Sequence, residues 1–397
     1  MGKSKVAVAA TTTSTPSSGK AVIDNKKAIP ASSSTTAPLK ENINDHLPPI
    51  LLVFTVMVCS GFLFMYSFRD VFATGRTIGG YRDHAYLSFT NSLMFFNNEK
   101  GWKSTQGGLS AIMPITTDAN NMGGLFVRKI GGAACLVVQL QKLWPIVFHP
   151  IDARWRRGHF NPLFATAIVS NLILAAFYGT YIVDDLQAAG ADELPKLFVV
   201  ALLVETVVML YYLLSQKGTM TKGPAIALTE GKTHTSVVSR IVARTNFLVS
   251  TFVLLIAGRD LFFPGHILTF IPRDDIYLEW TGALIHSPPE DSPEAVEHGM
   301  EQAFFVGDKY MSQFMALNML ILCLYKFVAA FGIRYRSDGG GLVQARMIWK
   351  AQAVGGALIV YLFRLFANAA SSASLDLRWH LMALAYETFI LGLYGFF

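Results

Sequence analysis

The sequence predicts an all-α polytopic membrane protein with eight transmembrane helices, arranged as two duplicated four-helix halves of parallel topology. Hydrophobic residues make up 52% of the 397 residues and charged residues only 15%, whereas a soluble globular chain usually carries about 25% charged residues. Apolar runs long enough to cross a bilayer recur along the chain, and patterns of the first half return in the second. This composition excludes a disordered protein, a coiled coil and an ordinary soluble enzyme.

The N-terminal segment, residues 1–46, differs from the rest of the chain. It is rich in Ser, Thr, Ala and Lys and has no apolar period, so we expect a disordered cytosolic tail. No apolar region follows a short basic start, which argues against a secretory signal peptide. An acid-poor, Ser/Thr-rich start is also typical of an organellar transit peptide, and this alternative stays open.

Hydropathy sets the number of spans, and the charge of the loops sets their orientation. A transmembrane helix needs about 20 mostly apolar residues. Lys and Arg are in excess in the tail and in the loops on its side of the predicted membrane, so that side, with both termini, is predicted to be cytosolic. The opposite side carries two long loops, 69–121 and 259–308. The eight apolar runs are approximately 49–68, 123–148, 162–183, 195–214, 241–258, 309–333, 342–368 and 377–397.

An internal duplication organises these runs into two halves. We predict a first half at 49–214, a cytosolic linker at 215–240 and a second half at 241–397. Because each half has an even number of spans, the halves are parallel, and a central cavity would lie between them. Three patterns return in the same order: RDVF at 69–72 as RDLF at 259–262, YRDHAYLSFTNSL at 81–93 as PRDDIYLEWTGAL at 272–284, and ALLVETVVMLYYL at 201–213 as ALAYETFILGLYG at 383–395.

Two glutamates lie at equivalent places near the middle of their spans, Glu205 in the first half and Glu387 in the second. A carboxylate at the bilayer midplane is costly, and such residues normally face a bundle interior, a partner or a water-filled cavity. A proton-coupled carrier or an ion pathway would use such carboxyls. The alternative is a protonated or paired carboxyl that holds helices together.

Basic residues of the spans are further candidates for a transport pathway. Lys350, Arg364 and Asn368 share a face of the seventh predicted span with Arg346, and this stripe could attract an anion, or Lys350 could pair with Glu387. Alternatively, Arg346 and Arg364 extend to opposite membrane faces. Lys142 and Lys326 lie near the cytosolic ends of their spans, so we expect their side chains to reach the membrane surface in the same way.

Four Arg-Asp pairs follow the non-cytosolic ends of the first and fifth spans. Adjacent residues of a helix do not face each other, so we expect each pair to bridge to other elements. The pairs would form a structural clamp on the long loops or the entrance to a pathway. An acidic stretch at 287–302 is either a solvated loop or a binding site for cations or a basic partner. The pairs are Arg69-Asp70, Arg82-Asp83, Arg259-Asp260 and Arg273-Asp274.

Several common catalytic and nucleotide-binding motifs are absent from the sequence, and their absence narrows the functions that it favours. It contains no Walker A loop, no GxGxxG, GxSxG or HExxH motif and no pair of histidines at i,i+4 within a span, so we predict no catalytic residue, metal site or cofactor. Membrane lipid, rather than nucleic acid, is the expected surrounding partner. The favoured prediction is a multi-pass transporter or channel, proton-linked, moving a small anionic solute between the halves. The alternatives are a non-catalytic scaffold, cargo receptor or assembly factor with a protein partner at the long non-cytosolic loops, and an intramembrane enzyme acting on lipid.

Overall fold

The eight predicted apolar runs coincide with eight long helices. A computed structural model describes residues 47–97, 122–149, 160–215, 237–282, 299–333 and 340–396, and all of them belong to one compact unit. The predicted tail, most of the linker 215–240 and most of the acidic stretch 287–302 lie outside these ranges. The long helices are α1 (Leu47–Phe72), α4 (Met122–Phe148), α5 (Asn161–Tyr181, extended by a π-helical turn, Ile182–Leu186), α6 (Glu193–Ser215), α7 (Val237–Phe262), α9 (Gly299–Phe327, extended by a π-helical turn, Val328–Ile333), α10 (Gly340–Ser372) and α11 (Arg378–Phe396).

Six of these helices, α1, α4, α5, α6, α9 and α10, are long and apolar enough to cross a membrane. The described part of the chain therefore has the character of an integral membrane protein with several helical spans. The other two long helices fall outside this set of six. Within the apolar run of α11 lies one charged residue, Glu387.

Helices α4 and α9 occupy the centre of the bundle. Helix α4 packs against α1, α9 and α10, and α9 packs against α7, α4 and α5. The outer helices close the two sides through the contacts of α6 with α1 and α5 and of α11 with α7 and α10. The outward faces are apolar, as Phe54, Val58 and Val207 illustrate, which is what a lipid-facing surface requires.

Glycines allow close approach at the centre of the bundle. A Cβ on Gly131 of α4 would lie 3.3 Å from the Cβ of Met315 on α9, so the two central helices meet with little side chain between them. Near the start of α4, a Cβ on Gly123 would collide with the carbonyl oxygen of Trp280. Near the start of α9, a Cβ on Gly307 would collide with the carbonyl oxygen of Phe89.

The short helices seated on these glycines come from the two long loops. They are α2 (Tyr81–Phe89) and α8 (Asp274–Thr281); a third short helix, α3 (Leu93–Asn97), follows α2. Tyr86 lies in α2, and Tyr277 lies in α8. Tyr86 is buried, and its hydroxyl lies 3.0 Å from that of Tyr310 on α9. The segment of the first loop thus docks on a helix of the second half of the chain.

Candidate functional site

A lysine–glutamate pair lies inside the first group of helices, α1, α4, α5 and α6. Lys142 of α4 donates to Oε2 of Glu205 of α6 at 2.7 Å, and both side chains are 0% exposed. Both charges are therefore removed from lipid and water, and each serves as the counter-ion of the other.

Two further polar side chains complete this cluster. Ser60 of α1 donates to Oε1 of Glu205, and Asn171 of α5 donates to Oε2 at 2.8 Å. The Lys142 ammonium also donates to Oδ1 of Asn171, at 3.1 Å. One carboxylate thereby joins four helices through three donors. This arrangement supports the alternative in which Glu205 holds helices together, because both of its carboxylate oxygens are hydrogen-bonded and its side chain is fully buried.

A second lysine–glutamate pair lies inside the other group of helices, α7, α9, α10 and α11. Lys326 of α9 is 2.8 Å from both carboxylate oxygens of Glu387 of α11. The Lys326 side chain is 13% exposed and that of Glu387 is 4% exposed. Within the described ranges, Lys326 is the only side chain hydrogen-bonded to Glu387.

A small cavity of about 30 Å³ adjoins the second pair. Besides Lys326 and Glu387, its polar lining includes Cys323, Gln352 and Thr388. A volume of this size is enough for about one water molecule. The two lysine–glutamate pairs therefore differ: the first is fully buried and its carboxylate accepts from three donors, whereas the second borders a cavity.

The prediction that Lys142 and Lys326 extend to the membrane surface is wrong. A carboxylate on a neighbouring helix lies within reach of each ammonium, and a buried counter-ion removes the need to reach water. One signal in the sequence could have indicated these pairs. Lys326 follows Lys142 by nearly the same interval as Glu387 follows Glu205, so both partners recur together.

The basic stripe of α10 does not share an interior with the two glutamates. Arg346, Arg364 and Asn368 are exposed, because α10 turns its buried face, including Leu362 and Phe366, towards the core. The predicted pairing of Lys350 with Glu387 is also wrong. The Lys350 ammonium lies 5.4 Å from the ring centroid of Phe396, while Lys326 holds the carboxylate.

Two of the predicted Arg-Asp clamps are buried at the ends of α1 and α7. Arg69 contacts both Asp70, at 2.6 Å, and Asp83 of the following short helix. Oδ2 of Asp83 accepts the backbone N–H groups of Ile78, at 2.7 Å, and Gly79, at 3.2 Å. The clamp therefore fixes the turn after α1 onto the bundle.

The clamp at the end of α7 has the same parts. Arg259 contacts Asp260 and Asp274, and Oδ2 of Asp274 accepts the backbone N–H of Leu268 at 2.7 Å. In both clamps the guanidinium folds back to the adjacent aspartate while it also reaches the loop. Both pairs therefore bridge to another element, as expected, and the guanidinium also contacts the adjacent aspartate because an arginine side chain is long enough to do both.

The other two arginines of these motifs lie apart from the buried clamps. Arg82 pairs with Glu193 on the surface, where the side chains are 58% and 55% exposed. Arg273 donates to the carbonyl oxygen of Ser374 in the turn between α10 and α11. Arg273 and Ser374 both have left-handed backbone conformations, with φ of 62° and 63°.

Sequence reasoning missed a buried cation that joins the two groups of helices. Arg128 of α4 donates to the carbonyl oxygen of Thr90, and its Nη2 lies 2.7 Å from a carboxylate oxygen of Asp308 on α9. Two further side chains of the central helices hold the ends of α1 and α7. Lys129 of α4 donates to the Val71 carbonyl at 2.6 Å, and Gln313 of α9 donates to the Leu261 carbonyl at 2.7 Å. No spacing in the sequence indicates these partners, because they depend on how separate helices pack.

A larger cavity in the described part of the chain has a volume of about 340 Å³. It lies among α7, α9 and α11 with α4 at one wall, so it is placed differently from the central cavity that the sequence predicted. Most of its lining is apolar, and its polar residues include Asp260, Asp274 and His380. Tyr277 also lines it, and burial raises the pKa of this phenol, which keeps it neutral.

Comparison of the chain with family models, with curated proteins and with solved structures gives no match.

Proposed function

We propose that this chain is a multi-pass membrane transporter in which the Lys326–Glu387 pair is the proton-linked part of the pathway. The observation that carries the proposal is the difference between the two lysine–glutamate pairs. Glu205 is bonded by three donors and sealed. Among the described residues, Glu387 is hydrogen-bonded by one lysine side chain, and it borders a cavity. A buried ionisable residue beside open space is where membrane transporters bind protons and ions.

The proposed architecture has eight membrane spans in two four-helix repeats, with both termini cytosolic. Matched contacts support the repeat. Each group has a buried lysine–glutamate pair and a clamp of one arginine with two aspartates. In each group a side chain of the central helix also donates to a carbonyl in the last turn of the first helix. Helix contacts also match: α1 with α4 corresponds to α7 with α9, and α5 with α6 corresponds to α10 with α11.

In the proposed mechanism, a proton and an anion enter together. Protonation of Glu387 removes the negative charge opposite Lys326 and leaves the ammonium without a counter-ion. A buried, unpaired charge is strongly unfavourable, so Lys326 then attracts a small anion in place of the carboxylate. Release of the proton restores the pair and expels the anion. Lys326 thus takes the role that the sequence suggested for Lys350 and Arg364.

The test is proton-linked flux into liposomes that contain a pH-sensitive dye and the purified full-length protein. We expect Glu387→Gln to reduce the flux by at least about tenfold, since the neutral amide cannot bind and release a proton. Glu205→Gln is the matched control, because glutamine keeps an acceptor for Lys142. It should retain flux in proportion to the folded protein.

Monodisperse elution from size-exclusion chromatography checks folding before each flux measurement. Unchanged flux in Glu387→Gln, or an equal loss in both folded variants, would contradict the proposed pathway. A well-folded wild-type protein that gives no flux with any of a series of small anions would also overturn it. That last result would favour the scaffold alternative and a search for a protein partner.

A further inference from the structure

We propose that the 340 Å³ cavity binds an uncharged amphiphile that has an apolar body and a single hydroxyl head, of the sterol or long-chain alcohol class. The volume lies within the range of about 300–1,000 Å³ that is typical of small-molecule sites. This inference does not depend on the proposed transport, because a resident lipid would occupy the cavity whether or not the protein moves a solute.

The walls of the cavity fit a long apolar body. Along α7 the lining runs from Val249 to Asp260, a rise of about 16 Å. Met315 of α9 and Leu384 of α11 add further apolar surface. Phe252 and Trp379 line the cavity and are also exposed, so the cavity opens at the outward, apolar surface of the bundle. A lipid could therefore enter sideways from a surrounding bilayer.

The polar residues gather at one end of the cavity, as an amphiphile requires. Asp260 lies at the end of α7, Asp274 at the start of α8 and His380 at the start of α11. Nδ1 of His380 is buried and has no hydrogen-bond partner within the described part of the chain. A ligand hydroxyl would satisfy this nitrogen, which otherwise costs free energy as an unpaired buried polar group.

The charges at this end select an uncharged head group. Arg259 is the counter-ion of both Asp260 and Asp274, and the lining residue Arg273 contributes a second positive charge. Two arginines therefore balance two aspartates, so neither an anionic nor a cationic head finds a net opposite charge. A hydroxyl, which both donates and accepts a hydrogen bond, suits this neutral cluster.

The backbone at the same end is strained, which is typical of ligand-binding sites. Arg273 lines the cavity in a left-handed conformation and donates to Ser374, which is also left-handed. This contact ties the start of α8 to the turn before α11. The two segments that carry Asp274 and His380 are thus held together across the polar end.

The experiment uses the purified full-length protein in detergent micelles with two photoreactive probes, a diazirine sterol and a diazirine derivative of hexadecanol. Labelled peptides are mapped by mass spectrometry. Ala383 lines the cavity and is half-buried, so Ala383→Phe should fill the space and reduce labelling by at least about tenfold. Ala201→Phe, at the matching position of the repeated ALLVET and ALAYET segments, is the control and should leave the labelling unchanged.

Competition tests the head group. We expect the unlabelled sterol or hexadecanol to displace its probe from peptides of α7 and α11, and the corresponding sulfate ester to compete at least about tenfold less well. His380→Leu should lower the affinity for the hydroxyl-bearing ligand by about five- to tenfold, which is the effect of losing one hydrogen bond. If only one of the two probes labels the protein, that probe identifies which of the two lipid classes the site binds.

Three results would overturn the inference. They are labelling spread over the outward faces, labelling that survives Ala383→Phe, and sulfate esters that compete as well as the alcohols. Binding is measured without a membrane gradient, so its failure leaves the proposed transport untouched. Conversely, loss of flux in Glu387→Gln has no bearing on lipid binding.

Discussion

Replacing Glu205 with leucine is expected to lower the free energy of unfolding by about 3–5 kcal/mol. The substitution leaves the Lys142 ammonium buried, at 0% exposure, without its counter-ion. It also removes the acceptor of Ser60 and of the Asn171 amide. The measurement is the free energy of unfolding of purified protein in mixed micelles.

Two comparison variants separate charge burial from a loss of packing. Lys142→Met in the Glu205→Leu background should recover most of the lost stability, because an apolar pair of similar volume replaces a buried ion pair at little cost. Glu387→Leu should cost less than Glu205→Leu, since Lys326 is partly exposed and borders a cavity. Equal losses at the two glutamates, or no recovery in the double variant, would show that the first pair is not a sealed ion pair.

Replacing Asp83 with alanine should lower the free energy of unfolding by a similar amount, about 3–5 kcal/mol. Asp83 is fully buried, pairs with Arg69 and accepts the backbone N–H groups of Ile78 and Gly79. Its removal leaves Arg69 with one counter-ion instead of two and leaves two backbone donors without an acceptor. The same unfolding measurement in mixed micelles checks this expectation.

The neighbouring residue in the sequence provides the control for Asp83. Arg82 pairs with Glu193 on the surface, and exposed ion pairs contribute less than about 1 kcal/mol. Arg82→Ala should therefore leave the free energy of unfolding almost unchanged. If Asp83→Ala and Arg82→Ala had the same small effect, the turn after α1 would not depend on the buried clamp.

The helices could be predicted from the sequence because lipid leaves the backbone few choices. A run such as 49–68 must satisfy its backbone hydrogen bonds internally, and an α-helix does so. The repeated RD motifs also indicated the two clamps, since each contains its arginine and one of its aspartates. Their second aspartates, Asp83 and Asp274, come from the next repeated motif.

The partners of the charges inside the bundle could not be predicted in the same way. Whether Lys142 reaches the membrane surface or a carboxylate depends on the distance between α4 and α6, which hydropathy does not contain. The same limit applies to α10, where the basic stripe forms a continuous face but lies on the outward side. Helical spacing predicts that these residues point in the same direction. Whether that direction is the core or the surface depends on how the helices pack.

We infer that Glu387 borders space that small molecules can reach, whereas Glu205 is sealed inside the bundle. The most direct test of this inference is modification of the folded protein in liposomes by a membrane-permeant carbodiimide, which reacts with protonated carboxyl groups. Mass spectrometry of the peptides then gives the extent of reaction at each glutamate as a function of pH. We expect Glu387 to be modified, and to a greater extent as the pH falls, while Glu205 stays unmodified until the protein unfolds. Modification of Glu205 before Glu387, or of both to the same extent, would contradict this inference.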